Sequence, residues 1–80
     1  MTTECFLTRV DPSRNIARFY RLSIEPTLFG DFAVQRSWGR LGTWGQTRLS
    51  QFHDLDKALS HKDCLMNRKL QRGYTVDRQK

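Results

Sequence analysis

Trp38-Gly39-Arg40-Leu41-Gly42-Thr43-Trp44-Gly45-Gln46 is the stretch on which the fold turns. Glycines at every third position, Gly39, Gly42 and Gly45, mark a tight connection, because glycine reaches positive-φ conformations that other residues adopt only with strain. The segments on either side read as strands, so the connection joins strand to strand. Such a turn has no structural need of two indoles and an arginine, and a rigid scaffold commonly carries its chemistry on the loops it positions.

Upstream, Phe32 to Trp38 places Phe32 and Val34 on one face and Ala33, Gln35 and Ser37 on the other. If the pleat continues unbroken, Arg36, Trp38 and Arg40 share the face of Phe32 and Val34. An arginine at a core position costs too much to stand unpaired. Either a bulge switches the faces, or this end of the strand projects beyond whatever covers the core. Both arrangements leave Arg36 and Arg40 in reach of solvent, but they differ on Trp38.

Downstream, Gln46 to Phe52 forms another strand, and then the period changes. Asp54 is a good N-cap, and Asp56 complements the positive end of a helix dipole. Leu55, Ala58, Leu59, Lys62, Leu65, Met66, Lys69 and Leu70 fall on one stripe at helical spacing. Arg68, Lys69 and Arg72 crowd the last turn, where cations suit the dipole, and Gly73 fits a left-handed cap. The pattern predicts one helix from Leu55 to Arg72, lying across a face of the sheet. Tyr74 and Val76 hint at a brief strand in the charged segment that runs to Lys80.

Nearer the start, Cys5 to Val10 reads as a strand with apolar residues on both faces, Phe6 and Val10 against Leu7. Asp11 to Asn15 is a turn by composition. From Ala17 to Glu25, Tyr20, Leu22 and Ile24 alternate with Phe19, Arg21, Ser23 and Glu25, which puts the first set in the core and the second mostly in water. Pro26 ends that strand. Thr27 to Asp31 is then a loop with Leu28 and Phe29 as anchors. The expected fold is α+β, an antiparallel sheet of about four strands with one helix on one face, and residues 1–80 make a single domain.

The chain carries ten arginines against four lysines, with a formal charge of +6. Arginine presents a planar fork that matches phosphate or carboxylate two-on-two, so this ratio points to a polyanionic partner. Cys5 and Cys64 are the only cysteines. They can assemble neither a disulfide framework nor a zinc cluster, which makes a reducing compartment the default. Met1 to Phe6 includes the acid Glu4 and leads into no long apolar run, so a soluble cytoplasmic protein without signal peptide or membrane span is expected.

Enzymatic constellations fail on spacing. His53 and His61 have no HExxH, CxxC or paired carboxylates around them, and His61, Asp63 and Cys64 sit too close along one helix to aim a base at a nucleophile. No catalytic residue, cofactor or metal ligand is expected. The glycines lack the GK[ST] ending of a phosphate loop and open no helix. Gly39-Arg40-Leu41-Gly42 matches a GxxG backbone clamp, but no helix flanks it. Arg36, Trp38, Arg40, Trp44 and Arg48, with Gln46 among them, interleave basic and aromatic groups: guanidinium groups for phosphates, indoles for a base or sugar. Trp38 stands between core and contact by its parity. Trp44, at the turn's tip, is the more exposed indole.

Trp38-Gly39-Arg40 with Leu41-Gly42 and Gly45-Gln46-Thr47 resembles the signature of the WGR domain. That module occurs beside the catalytic domain of DNA-dependent poly(ADP-ribose) polymerases and, in bacteria, as small stand-alone proteins or fused to regulators. The likeness spans about residues 17–74, including the capped helix and Arg72-Gly73-Tyr74. It implies an antiparallel sheet with one packed helix and binding to DNA near a strand break. In that picture Trp38 packs on a terminal sugar, Arg40 bridges to a neighbouring domain, and basic residues nearby hold the backbone. With no such domain in this chain, Arg40 supports the loop or contacts DNA instead, and Trp44 falls at a variable position of the signature. The expected function is therefore DNA binding without sequence readout. An RNA-binding regulator and a protein adaptor for an acidic partner are the alternatives.

Overall fold

A computed structural model describes residues 4–79. Its middle strand is the one whose alternation is cleanest, β2 (Ile16–Pro26), flanked by β1 (Glu4–Asp11) and β3 (Phe32–Arg40). β4 (Gln46–Phe52) pairs outside β3, and β5 (Thr75–Gln79) outside β1, giving the order β4-β3-β2-β1-β5 with antiparallel neighbours throughout. The sheet thus has five strands, where about four were expected. Val76 lies in a true edge strand, with Tyr74 just before it, and the strand is tied to β1 by the Thr8 hydroxyl donating to Asp77 Oδ1 (3.1 Å) and the Thr75 hydroxyl donating to the Thr8 carbonyl (3.4 Å). Lys80 lies outside the described residues.

The turns follow their sequence chemistry. Pro12–Arg14 forms one 3-10 turn, closed by Asn15 in the left-handed region at φ 55°. Helix α1 (Leu55–Gln71) starts where the Asp54 carboxylate accepts the Asp56 N–H at 2.9 Å. It ends in a paired cap: the Tyr74 N–H donates to the Lys69 carbonyl and the Gly73 N–H to the Leu70 carbonyl, both at 3.1 Å, with Gly73 at φ 95°. The cap's usual apolar contact is supplied by Tyr74, which is buried.

α1 lies across β2, β3 and β4. Under its first half, Ile24, Val34 and Ala58 form one cluster with Phe32, Phe52, Leu55 and Leu59 packed on it. Under its second half, Cys5, Leu7, Tyr20, Leu22, Leu65 and Tyr74 form another, with Trp38 and Met66 against it. β1 therefore turns Cys5 and Leu7 inward and Phe6 and Val10 outward.

Two expectations need correction. Phe19, assigned to the watery face of β2, is buried although no helix covers it. It stacks on Phe6 at a centroid distance of 6.1 Å, and the β3–β4 connection closes over it. Leu28 and Phe29 anchor nothing and stand 100% and 86% exposed. The Thr27 hydroxyl accepts the N–H groups of Phe29 and Asp31 (3.2 Å each), which forms that loop without any apolar contact.

Candidate nucleic-acid interface

The register of β3 against β2 runs without interruption from Pro26↔Phe32 to Arg18↔Arg40. No bulge switches the faces, so Arg36 and Trp38 do lie on the helix side, opposite Leu22 and Tyr20. They are only partly buried because α1 ends there. Between the end of the helix and the sheet lies a cleft of about 540 Å³. β2 contributes Tyr20, β3 contributes Arg36 and Trp38, β4 contributes Arg48, and the last turn of α1 with its cap contributes Arg68, Lys69 and Arg72.

Five cations face this space, and no carboxylate is among its lining residues. Among the described residues, neither the Arg14–Asp11 ion pair (3.9 Å) nor the His53–Asp31 contact (2.8 Å) involves any of the five. Aromatic rings partner the charges instead. The Arg36 guanidinium stands 5.5 Å from the Trp38 ring centroid, and Lys69 Nζ stands 4.7 Å from that of Tyr20 and 5.2 Å from that of Tyr74. Arg36 Nε is buried with no hydrogen-bond partner. Burial raises the pKa of the Tyr20 hydroxyl, and the Arg36 guanidinium beside it pulls the other way. Burial lowers the pKa of Lys69, and repulsion from Arg72, Arg18 and Arg36 adds to the effect. The smaller, repulsive part of that shift, together with the absence of a lining carboxylate, marks surplus positive charge, which an entering anion would relieve.

Arg36, Trp38 and Arg48 meet in the cleft, and Trp38 is both core and wall: half-buried, packed on the inner cluster, with one side open. Arg40 points past it to the β1–β2 turn, donating to Asn15 Oδ1 (3.3 Å) and to the Asn15 carbonyl (3.5 Å). Gln46 pairs opposite Trp38 and stands exposed outside the cleft. Trp44, 97% exposed, belongs to the other face of the sheet, where it borders a second cavity with Phe19 and Thr47. The sequence reading missed Arg68, Lys69 and Arg72, since the helix dipole and cap already accounted for them. The signal was their number: three cations in five residues exceed what a dipole requires.

Only two of the three loop glycines work as expected. Gly42 and Gly45 have φ of 89° and 71°, but Gly39 does not enter the left-handed region. Its role is close approach, because a Cβ there would lie 2.8 Å from Gly45 Cα. At Gly45 a Cβ would collide with the Trp38 carbonyl and lie 2.9 Å from the Phe19 ring. The loop thus locks onto the backbone of Trp38, and the Thr43 hydroxyl donates to the Arg40 carbonyl at 2.7 Å.

Elsewhere, His53 is exposed and held by Asp31, and His61 packs on the Phe52 ring at 5.0 Å. Cys5 is buried and Cys64 exposed, both free. Among the described residues, no group of three or more His, Cys, Asp or Glu side chains could hold a metal, and no helix is long and apolar enough to cross a membrane.

The chain matches the family described as "WGR domain" over residues 3–80. It is also 46% identical over 69 residues to "Uncharacterized protein y4dW" of the bacterium Sinorhizobium fredii (strain NBRC 101917 / NGR234). That alignment covers 86% of this chain but 34% of the relative, so the chain spans about a third of that protein's length. Neither match points to a catalytic family. The Trp38-Gly39-Arg40 signature, the helix-backed sheet and the near full-length match agree: this chain belongs to the WGR domain family, generally a nucleic-acid-binding module.

Proposed function

We propose that the cleft at the end of α1 grips the sugar-phosphate backbone of DNA without reading its sequence, with residues 1–80 acting as one module. The observation that carries this reading is the convergence of Arg36, Arg48, Arg68, Lys69 and Arg72 around the open side of Trp38 with no carboxylate among them. Guanidinium forks suit phosphate oxygens, and a half-exposed indole suits a sugar or a terminal base. Sequence readout has no equipment here. The cations gather at the end of α1 and on the strands beneath it, not along the helix's solvent-facing side, whereas base edges are read by elements that enter a groove. Arg40 and Gln46 stand at the periphery of this contact, Arg40 bracing the β1–β2 turn.

Salt dependence tests the reading. Five neutralised phosphates give a log-log slope of about −4.5 on duplex and about −3.5 on single strands. Duplexes of shuffled sequence bind alike, and the double variant Arg68→Glu/Arg72→Glu loses roughly tenfold in affinity per reversed charge while its circular dichroism stays native. Absence of binding at low salt, or a double variant that binds like the native chain, would remove the cleft as the site. Tighter binding to acidic polypeptide than to DNA would favour the adaptor reading instead.

A further inference from the structure

We propose that the helix-free face of the sheet carries a second, separate contact, for unpaired nucleotides, centred on Trp44. The β3–β4 loop that holds this indole is well fixed. Leu41 N–H donates to the Ala17 carbonyl at 2.9 Å, Thr43 N–H donates to the Arg40 carbonyl at 3.1 Å, and Gly45 is wedged between the Trp38 carbonyl and the Phe19 ring. A rigid loop nevertheless leaves its indole 97% exposed. Beneath it lies a cavity of about 390 Å³, bordered by Phe6, Phe19, Arg21, Gln35 and Thr47, with no carboxylate in its lining. The exposed Arg21 guanidinium stands 5.2 Å from the Phe6 ring centroid and makes no ion pair among the described residues.

A flat indole, a free guanidinium and a side-chain amide together fit one chemical class, a nucleobase with its phosphate. A base inside a duplex has both faces occupied by its neighbours, so, a terminal pair apart, the bases free to stack on Trp44 are those of a single strand. An antiparallel sheet with helix on one side and an aromatic, arginine-bearing open side is a general platform for splayed bases. The pleat links this face to the cleft: along β3, Gln35 and Ser37 face the open side, whereas Arg36 and Trp38 face the cleft. A strand leaving the cleft need only pass around the β3–β4 hairpin to reach Trp44. The ligand so defined is a junction of paired and unpaired nucleic acid. The inference takes its ligand class from the reading of the cleft, but not its residues.

The two indole N–H resonances, assigned with Trp44→Ala, separate the two contacts. Titration of the native chain with a blunt duplex should move the Trp38 signal. A short oligothymidylate, or the same duplex with a single-stranded overhang, should move the Trp44 signal, and the overhang should tighten binding about tenfold. Trp44→Ala and Arg21→Gln should each erase that gain. A Trp44 signal that ignores oligothymidylate, or a gain that survives Trp44→Ala, overturns this inference alone. If no DNA moves either signal, the cleft reading falls with it.

Discussion

Under the first half of α1, Ile24 and Val34 pair across β2 and β3 and lie against Ala58, with Phe32, Phe52, Leu55 and Leu59 closing the cluster. Under its last turn the same two strands, in the same register, set Tyr20 opposite Trp38 and Leu22 opposite Arg36, and the helix brings Arg68, Lys69 and Arg72. The charges divide likewise: Asp54 and Asp56 stand at the helix start, the cations at its end. A helix terminus carries about half an elementary charge of the sign that favours this division, so the C-terminal end lowers the cost of gathering cations beside it. The difference teaches that one pleated face can serve as core and as the wall of an open, cation-lined cleft, and that the switch is made by where the helix stops.

The sharpest break of that comparison is a charge placed under the first half of the helix. Val34 is fully buried, and Val34→Asp puts an unpaired carboxylate there at a cost of about 3–5 kcal/mol, a large part of the stability of a chain this size. Thermal denaturation followed by circular dichroism should show a fold lost or close to it. Next in size is Gly45→Ala, which combines a left-handed backbone with the collision at the Trp38 carbonyl. A loss of about 2–3 kcal/mol in denaturant unfolding is expected. A loss below a few tenths of a kcal/mol would show that the loop does not brace the cleft's tryptophan.

Arg36 occupies the position that Val34 occupies two residues earlier, yet the expected result is the reverse. Its Nε is buried without a partner, so Arg36→Met removes an unmet donor and a repelled charge. Stability should hold or rise by about 1 kcal/mol, while DNA affinity falls roughly tenfold. Equal damage to stability from Arg36→Met and Val34→Asp would erase the distinction between the two ends.

The fold was legible wherever one local rule acted alone. Asp54 and Gly73 bound the helix at Leu55–Gln71, one residue short of the expected Arg72, because Arg72 is the cap. Leu22, Ile24 and Val34 lie inward as their period requires. Legibility failed where tertiary contact overrode period or where two rules fitted one residue. Phe19 is buried by a loop that no periodicity describes, and β5 is held by pairing with β1 more than by its own short pattern. Arg68, Lys69 and Arg72 satisfied the dipole rule and so concealed the cleft wall they form. Trp38 and Trp44 sit six residues apart in one motif, but only the path of the loop shows that they serve opposite faces.

The finest test of the cleft's surplus charge is the titration of Lys69. Its ammonium faces Tyr20 and Arg18 from β2, Arg36 from β3, Tyr74 from the cap, and Arg68 and Arg72 from its own helix, and its pKa lies below the usual 10.5 because of burial first and Arg72 next. For stability, the charged form is a cost present below the folded pKa and relieved as pH climbs through it towards 10.5. For binding the sign is opposite. A phosphate favours the ammonium and restores its pKa, so DNA binding takes up a proton, and affinity falls as pH rises through the depressed value. Lys69→Arg keeps the charge at every accessible pH. As pH rises through the lowered pKa towards 10.5, the native chain should therefore lose more affinity than Lys69→Arg, measured at constant ionic strength. Parallel pH profiles would mean that Lys69 meets no phosphate, and would confine the contact to the four arginines around it.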